Sequence, residues 1–320
     1  MNLTMGEALF SIGSLQVTTY GAAVAAAALL AALLTLGLRE PELKADRRLT
    51  GLIGSLIGAL IGARLIYCLV SLEMILADYD GWAFIPQCWR GGYTLFGGVW
   101  GMLLGARAAA KLAHADAKRM TDLLAPGAAL LLAVLRAAEA WTNQGLGHYV
   151  MNEAVQHFPF AVANEYGDFQ LPVFAYEALA ALLMLAALLT VRGRLQPGGA
   201  TELLLVLLCS SQILLESLRE DDFLRFGFVR FSQLAAAVTL AVVLTLRIRR
   251  GGKAPFRGWK LARVLLFALG IALVIGLEFA LDKTPIDNRV LYAVMAVCVT
   301  GIGIACWHNA PVKAAERPNG

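Results

Sequence analysis

Residues 51–67 read GLIGSLIGALIGARLIY, and the apolar run continues to Val70 with Arg64 as its one charge. A helix of about 20 such residues spans the roughly 30 Å hydrocarbon core of a bilayer. A helix on a soluble surface would carry a polar face at about 3.6-residue spacing. Here the repeating element is glycine instead, with Gly54, Gly58 and Gly62 at every fourth position. Lipid gives no hydrophobic drive for helix association, so small residues that let backbones approach are a usual solution. The stretch GGVWGMLLG, 97–105, repeats the pattern with Gly97, Gly101 and Gly105. The two stripes are expected to face each other or a neighbouring helix.

Runs of this kind recur along all 320 residues. The chain is 59% hydrophobic and 16% charged, with mean hydropathy +0.67; a soluble domain carries about 25% charged residues. The values argue against a large soluble helical protein and predict an all-α, polytopic integral membrane protein. Nine transmembrane helices are expected, over 17–38, 49–71, 91–110, 121–142, 174–191, 201–219, 231–247, 261–281 and 290–307.

Lys and Arg in the connections divide unequally between the two sides. One side holds Arg39, Lys44, Arg47, Arg48, Arg107, Lys111, Lys118, Arg119, Arg192, Arg194, Arg247, Arg249, Arg250, Lys253, Arg257, Lys260, Lys313 and Arg317. The other holds Arg90, Arg219, Arg225, Arg230, Lys283 and Arg289. Positive charge marks the cytoplasmic side, which puts the N-terminus outside and the C-terminus in the cytoplasm. The same asymmetry accounts for the net charge of +4, so no nucleic-acid partner is expected.

The basic stretch RIRRGGKAPFRGWK, 247–260, is the strongest internal boundary. It makes residues 1–246 a seven-span membrane domain, 247–260 a cytoplasmic linker, and 261–320 two extra spans with a cytoplasmic tail. Apart from Arg263 and Glu278 the last pair is nearly all apolar, and it is expected to be peripheral. Residues 143–173 are too polar to span and are expected to fold as an external arm or cap. The five cysteines and four histidines show no metal-ligand spacing, so neither a metal nor another cofactor is expected. The N-terminal MNLTMGEALFSIG lacks a basic region and a cleavage site and does not read as a cleaved signal peptide.

Given that topology, polar side chains collect at one depth. Tyr20, Arg64, Tyr67, Arg136, Glu139, Tyr176, Glu177, Gln212, Glu216 and Arg219 all fall toward the outer ends of their spans. A charge at the bilayer centre costs roughly 2.5–3.5 kcal/mol on insertion scales, and such residues mark functional sites. Positions 136, 139 and 143 share one helical stripe, and 212, 216 and 219 another. Acid and base can pair within each stripe, which leaves a purely structural ion-pair role open. The functional alternative is a polar cavity in the outer leaflet whose arginines grip a phosphate at two points.

The ordered segments FSIGSLQVTTYG, GARLIY, GGYTLFGG, DLLAPG, LRAAEAWTNQGLG, FAYEAL and LESLRED resemble those of the prolipoprotein diacylglyceryl transferase family. The resemblance covers residues 10–245 and leaves the last two spans as an addition. It implies transfer of a diacylglyceryl group from phosphatidylglycerol to the lipobox cysteine of a prolipoprotein signal peptide. The reaction releases glycerol phosphate at the outer face of the bacterial plasma membrane, and the protein is expected to be a monomer.

The family's functional positions fall on Arg136, Glu177, Glu216 and Arg219 as catalytic residues, with Glu139 among them. Tyr20, Arg64, Asn143, Gln144, Gly147 and Gln212 follow as substrate-binding residues. Several positions depart from the pattern. Glu139 stands where asparagine is usual, Phe96 replaces a histidine, and Gln212 stands where arginine is common. Asn143 and Gln144 match only with a one-residue shift. These departures also suggest an alternative: an impaired paralogue that binds anionic phospholipid or lipoprotein without turnover.

Overall fold

The computed structural model describes residues 8–12, 15–78, 81–220, 224–226, 229–250 and 258–307. Lys253, Arg257, Lys313 and Arg317, used above to orient the chain, lie outside the described residues. An antiparallel hairpin of β1 (Ala8–Ile12) and β2 (Leu15–Thr18) leads into α1 (Thr19–Gly37), where Thr18 caps the Gly21 amide at 3.1 Å. Helix α2 (Ala45–Val70) is followed by the short α3 (Leu72–Asp78). Next come α4 (Leu95–Leu112), capped by Thr94, and α5 (Ala117–Ala138), capped by Asp116. After two minimal hairpin strands, β3 (Val162–Ala163) and β4 (Phe169–Gln170), the chain forms α6 (Val173–Val191) and α7 (Gly199–Glu216). A last hairpin, β5 (Arg225–Phe226) and β6 (Val229–Arg230), precedes α8 (Phe231–Arg250), α9 (Trp259–Lys283) and α10 (Asn288–Trp307).

Eight of these helices are long and apolar enough to cross a membrane, which defines an all-α, multi-pass membrane architecture. The expected third span is the exception. Helix α4 has only 18 residues, and four glycines with Arg107 and Lys111 dilute its apolar content. It is held by contact geometry rather than hydropathy. The α2 and α4 stripes pack antiparallel, so that Gly54 meets Gly105, Gly58 meets Gly101 and Gly62 meets Gly97. A Cβ at any of these positions would overlap the partner's backbone carbonyl or Cα. Gly101→Leu should therefore destabilise the protein by about 1–3 kcal/mol or more. The check is the Tm of detergent-solubilised protein against Gly276→Leu, where an added Cβ meets nothing within 4 Å. Equal Tm values would count against the seam.

The last two helices, both expected to be peripheral, differ from each other. Leu265, Leu266, Leu269 and Leu273 leave much of α9 facing outward. Helix α10 instead buries one face in the largest core cluster, where Met295, Ile302 and Cys306 pack with Cys209, Ala236 and Leu240 of α7 and α8, while Val290, Val294, Val297 and Ile304 stay exposed. Its C-terminal end is fixed by Arg247, which donates to the Trp307 carbonyl at 2.7 Å with its guanidinium 4.2 Å from the Trp307 ring centre. Arg263 of α9 donates to the Ala305 carbonyl at 2.8 Å. Periodicity alone could not separate a lipid-facing apolar helix from a core-filling one, because both are apolar all round.

Candidate functional site

Helix α5 carries Arg136 into its last turn and ends just before Glu139. The Glu139 carbonyl accepts from the Thr142 hydroxyl at 3.1 Å and the Thr142 amide at 3.0 Å, which closes the helix in a tight turn. The chain then reverses through Asn143 (φ +50°) and Gly145 (φ +68°). Gly145 is required there, because a side chain would strike the Glu139 carboxylate and Phe174. Residues 145–148 next run between the start of α6 and the end of α7. The Gly145 carbonyl accepts from the Phe174 amide at 2.8 Å, and the Gly147 amide donates to the Leu171 carbonyl at 2.8 Å. His148 N donates to the Leu218 carbonyl at 3.2 Å, and Gly147 pairs with Arg219 as an isolated bridge. The 143–173 connection is thus a folded cap, with β3, β4 and a Tyr149–Gln170 bridge, as its composition led us to expect.

This clamp brings four charged groups and an amide together. Arg136 pairs with Glu139 at 2.5 Å and lies 3.4 Å from Glu177 Oε2. Arg219 Nη1 donates to Glu177 Oε2 at 3.0 Å and lies 3.5 Å from Glu139 Oε2. Gln212 Nε2 donates to Glu177 Oε1 at 2.8 Å, while its own Oε1 lies 3.5 Å from Arg136 Nη2. Glu177 is therefore saturated and its side chain is only 1% exposed, whereas Arg136 keeps 12% and is the more accessible cation. Glu139 Oε2 is buried and holds no hydrogen bond. Burying charge in a low-dielectric interior is tolerable only when pairs offset the desolvation, and here each arginine faces both Glu139 and Glu177.

Beside this cluster Glu216 lies 4.0 Å from Arg230, whose Nη2 donates to the Arg219 carbonyl at 2.7 Å. Among the described residues three guanidiniums and three carboxylates thus meet here. Tyr20 at the head of α1 is close enough to feel the charges of Glu139, Arg136 and Arg219. Gly147 acts through its backbone, since a Cβ there would overlap the Leu218 carbonyl. Asn143 is exposed on the cap, and Gln144 is tied by its amide to the Glu139 carbonyl at 3.4 Å.

Arg64 is not brought into the cluster. Its guanidinium donates to the carbonyls of Phe84, Ile85, Gln87, Gly91 and Gly92 and lies 4.4 Å from the Phe84 ring centre. Its donors thus organise the loop between α3 and α4. Phe96 is fully buried against Trp100, whose indole donates to Thr239 at 3.0 Å. Arg230 is the residue that sequence reasoning missed as a participant, having counted it only as a charge in a connection. Its signal is its place directly before the apolar run of α8, three residues from Gln233, whose Oε1 accepts from the Arg230 amide at 3.3 Å.

Fold and site together define a multi-pass membrane protein that buries a neutralised arginine–glutamate cluster at one end of its bundle, beneath a folded cap. Residues 7–249 match the family model described as prolipoprotein diacylglyceryl transferase, and the chain belongs to that family. It is 25% identical over 259 residues to the phosphatidylglycerol–prolipoprotein diacylglyceryl transferase of Staphylococcus epidermidis, covering 78% of this chain and 92% of that one. With the phosphatidylglycerol–prolipoprotein diacylglyceryl transferase 1 of Clostridium perfringens it shares 27% over 264 residues, 79% of this chain and 98% of that one. Helices α9 and α10 lie beyond the family match.

Proposed function

We propose that the protein transfers a diacylglyceryl group from phosphatidylglycerol to the lipobox cysteine of prolipoproteins, at the outer face of a bacterial plasma membrane. The N-terminus then lies outside, in accord with the unequal distribution of Lys and Arg. The observation that carries this reading is the pairing of Arg136 and Arg219 through Glu177 and Glu139 within the apolar bundle. In the reaction the cysteine sulfur bonds to the glyceryl carbon as that carbon's bond to phosphate oxygen breaks, and glycerol phosphate leaves. The phosphate changes from a singly charged diester toward a doubly charged monoester, so guanidiniums beside it bind the transition state better than the ground state. The thiol must lose its proton, and with an ordinary pKa of about 8.5 it needs a base. Glu139 Oε2, free of hydrogen bonds, is the acceptor at hand. Gln212 and Glu177 hold the arginines in place.

A second reading, binding of anionic phospholipid or lipoprotein without turnover, is favoured by Phe96, which puts an apolar buried ring where relatives by resemblance carry a histidine. Expression of the full chain in a strain depleted of its own transferase separates the two. Restored growth and lipid-modified lipoprotein are expected. Membrane-inserted protein that binds phosphatidylglycerol but leaves prolipoprotein unmodified would favour the second.

A further inference from the structure

Two arms of hydrogen bonds run from the added helices, α9 and α10, to the backbone of Arg219. In the first, Tyr292 Oη lies 2.9 Å from His148 Nε2 and 3.2 Å from the Ser217 carbonyl. The other ring nitrogen, His148 Nδ1, is paired with the Glu220 carboxylate. Tyr292 donates its single hydroxyl proton to the Ser217 carbonyl, and the same oxygen lies within hydrogen-bond reach of His148 Nε2. His148 follows Gly147, the residue bridged to Arg219. In the second arm Glu278 Oε1 accepts from Gln233 Nε2 at 2.6 Å, and Gln233 Oε1 accepts from the Arg230 amide at 3.3 Å. Arg230 then donates to the Arg219 carbonyl at 2.7 Å.

We infer that the C-terminal helix pair is a brace for the site, and that Tyr292 and Glu278 are positioning residues that set Arg219 and the 145–148 segment. Glu278 is a carboxylate within a nearly all-apolar helix, a placement that membrane helices seldom keep without a role. The hydrogen bonds described here carry both residues to the site through Arg219. The inference rests on the proposed transfer for what Arg219 holds, while the brace itself is a statement about structure.

The test uses the full chain with Tyr292→Phe and Glu278→Gln. Hydrogen–deuterium exchange of residues 142–150 and 216–220 reads the brace directly, and transfer from phosphatidylglycerol vesicles to a lipobox peptide reads its consequence. Faster exchange in those segments is expected, with KM for phosphatidylglycerol raised roughly two- to tenfold, the worth of one hydrogen bond. Tm should change little. In a His148→Gln, Tyr292→Phe double variant the two losses should be less than additive, because the two residues share the contact between Tyr292 Oη and His148 Nε2. If Tyr292→Phe does not fold, His148→Gln tests the same contact from the loop side. Unchanged exchange and unchanged KM in both single variants would overturn the brace. Faster exchange together with a wild type that neither binds phosphatidylglycerol nor transfers would keep the brace and sink the proposed function.

Discussion

Glu139→Gln should lower the rate of transfer to a cysteine peptide by roughly 10²–10⁴-fold, the usual contribution of a positioned general base. The amide keeps one oxygen for Arg136, so the geometry of the turn at 139–142 is retained. It loses the basic Oε2 that lies buried without a hydrogen bond. It also removes one of three carboxylates facing three guanidiniums, so the site gains a net positive charge. Binding of phosphatidylglycerol should therefore hold or tighten while turnover falls. Vesicle binding and peptide transfer, measured on the same preparation, give the two numbers. A transfer rate equal to wild type would reduce Glu139 to an ion-pair partner.

Arg136→Ala should produce the opposite pattern. Two arginines would then face three carboxylates, and an anionic headgroup would meet net negative charge. A charge-assisted contact is worth about 1.5–3 kcal/mol, a tenfold or greater loss of phosphatidylglycerol binding, with zwitterionic lipid spared. Arg136→Lys should recover only part of it, since an ammonium cannot make the planar two-point grip. Breaking a buried pair also leaves its carboxylate partner uncompensated, at about 3–5 kcal/mol. The Arg136→Ala, Glu139→Gln double variant restores neutrality, and it should regain stability without regaining affinity. Recovery of affinity in the double would place the headgroup on Arg219 rather than Arg136.

Local sequence carried much of this arrangement. Apolar run length located the eight helices that are long and apolar enough to cross a membrane, because the bilayer sets a minimum length for a span. The glycine stripes announced the α2–α4 seam, and helical spacing put Arg136 beside Glu139. What it could not carry were contacts made across the bundle. Arg64 looked like a member of the cluster because its depth was right, but depth does not give direction, and its guanidinium turns to the loop carbonyls instead. Arg230 looked like a connection charge because its partners, Glu216 and Arg219, lie at the end of α7 and just beyond it. The buried face of α10 was hidden because Met295 and Ile302 read the same against lipid as against protein.

The seat of α10 has a consequence for how the protein is made. Translation delivers this helix after every other one described, yet Met295, Ile302 and Cys306 pack with Cys209, Ala236 and Leu240 of α7 and α8. A nascent chain halted before Asn288 therefore leaves that face of α7 and α8 without its cover. Insertion and assembly are separated in time, and the seven helices shared with relatives wait in the bilayer for the last one. The interval ends when Trp307 leaves the ribosome and Arg247 can close on its carbonyl. An unfinished chain is a looser bundle, whose Arg219 end still lacks the contacts that Tyr292 brings to His148 and Ser217.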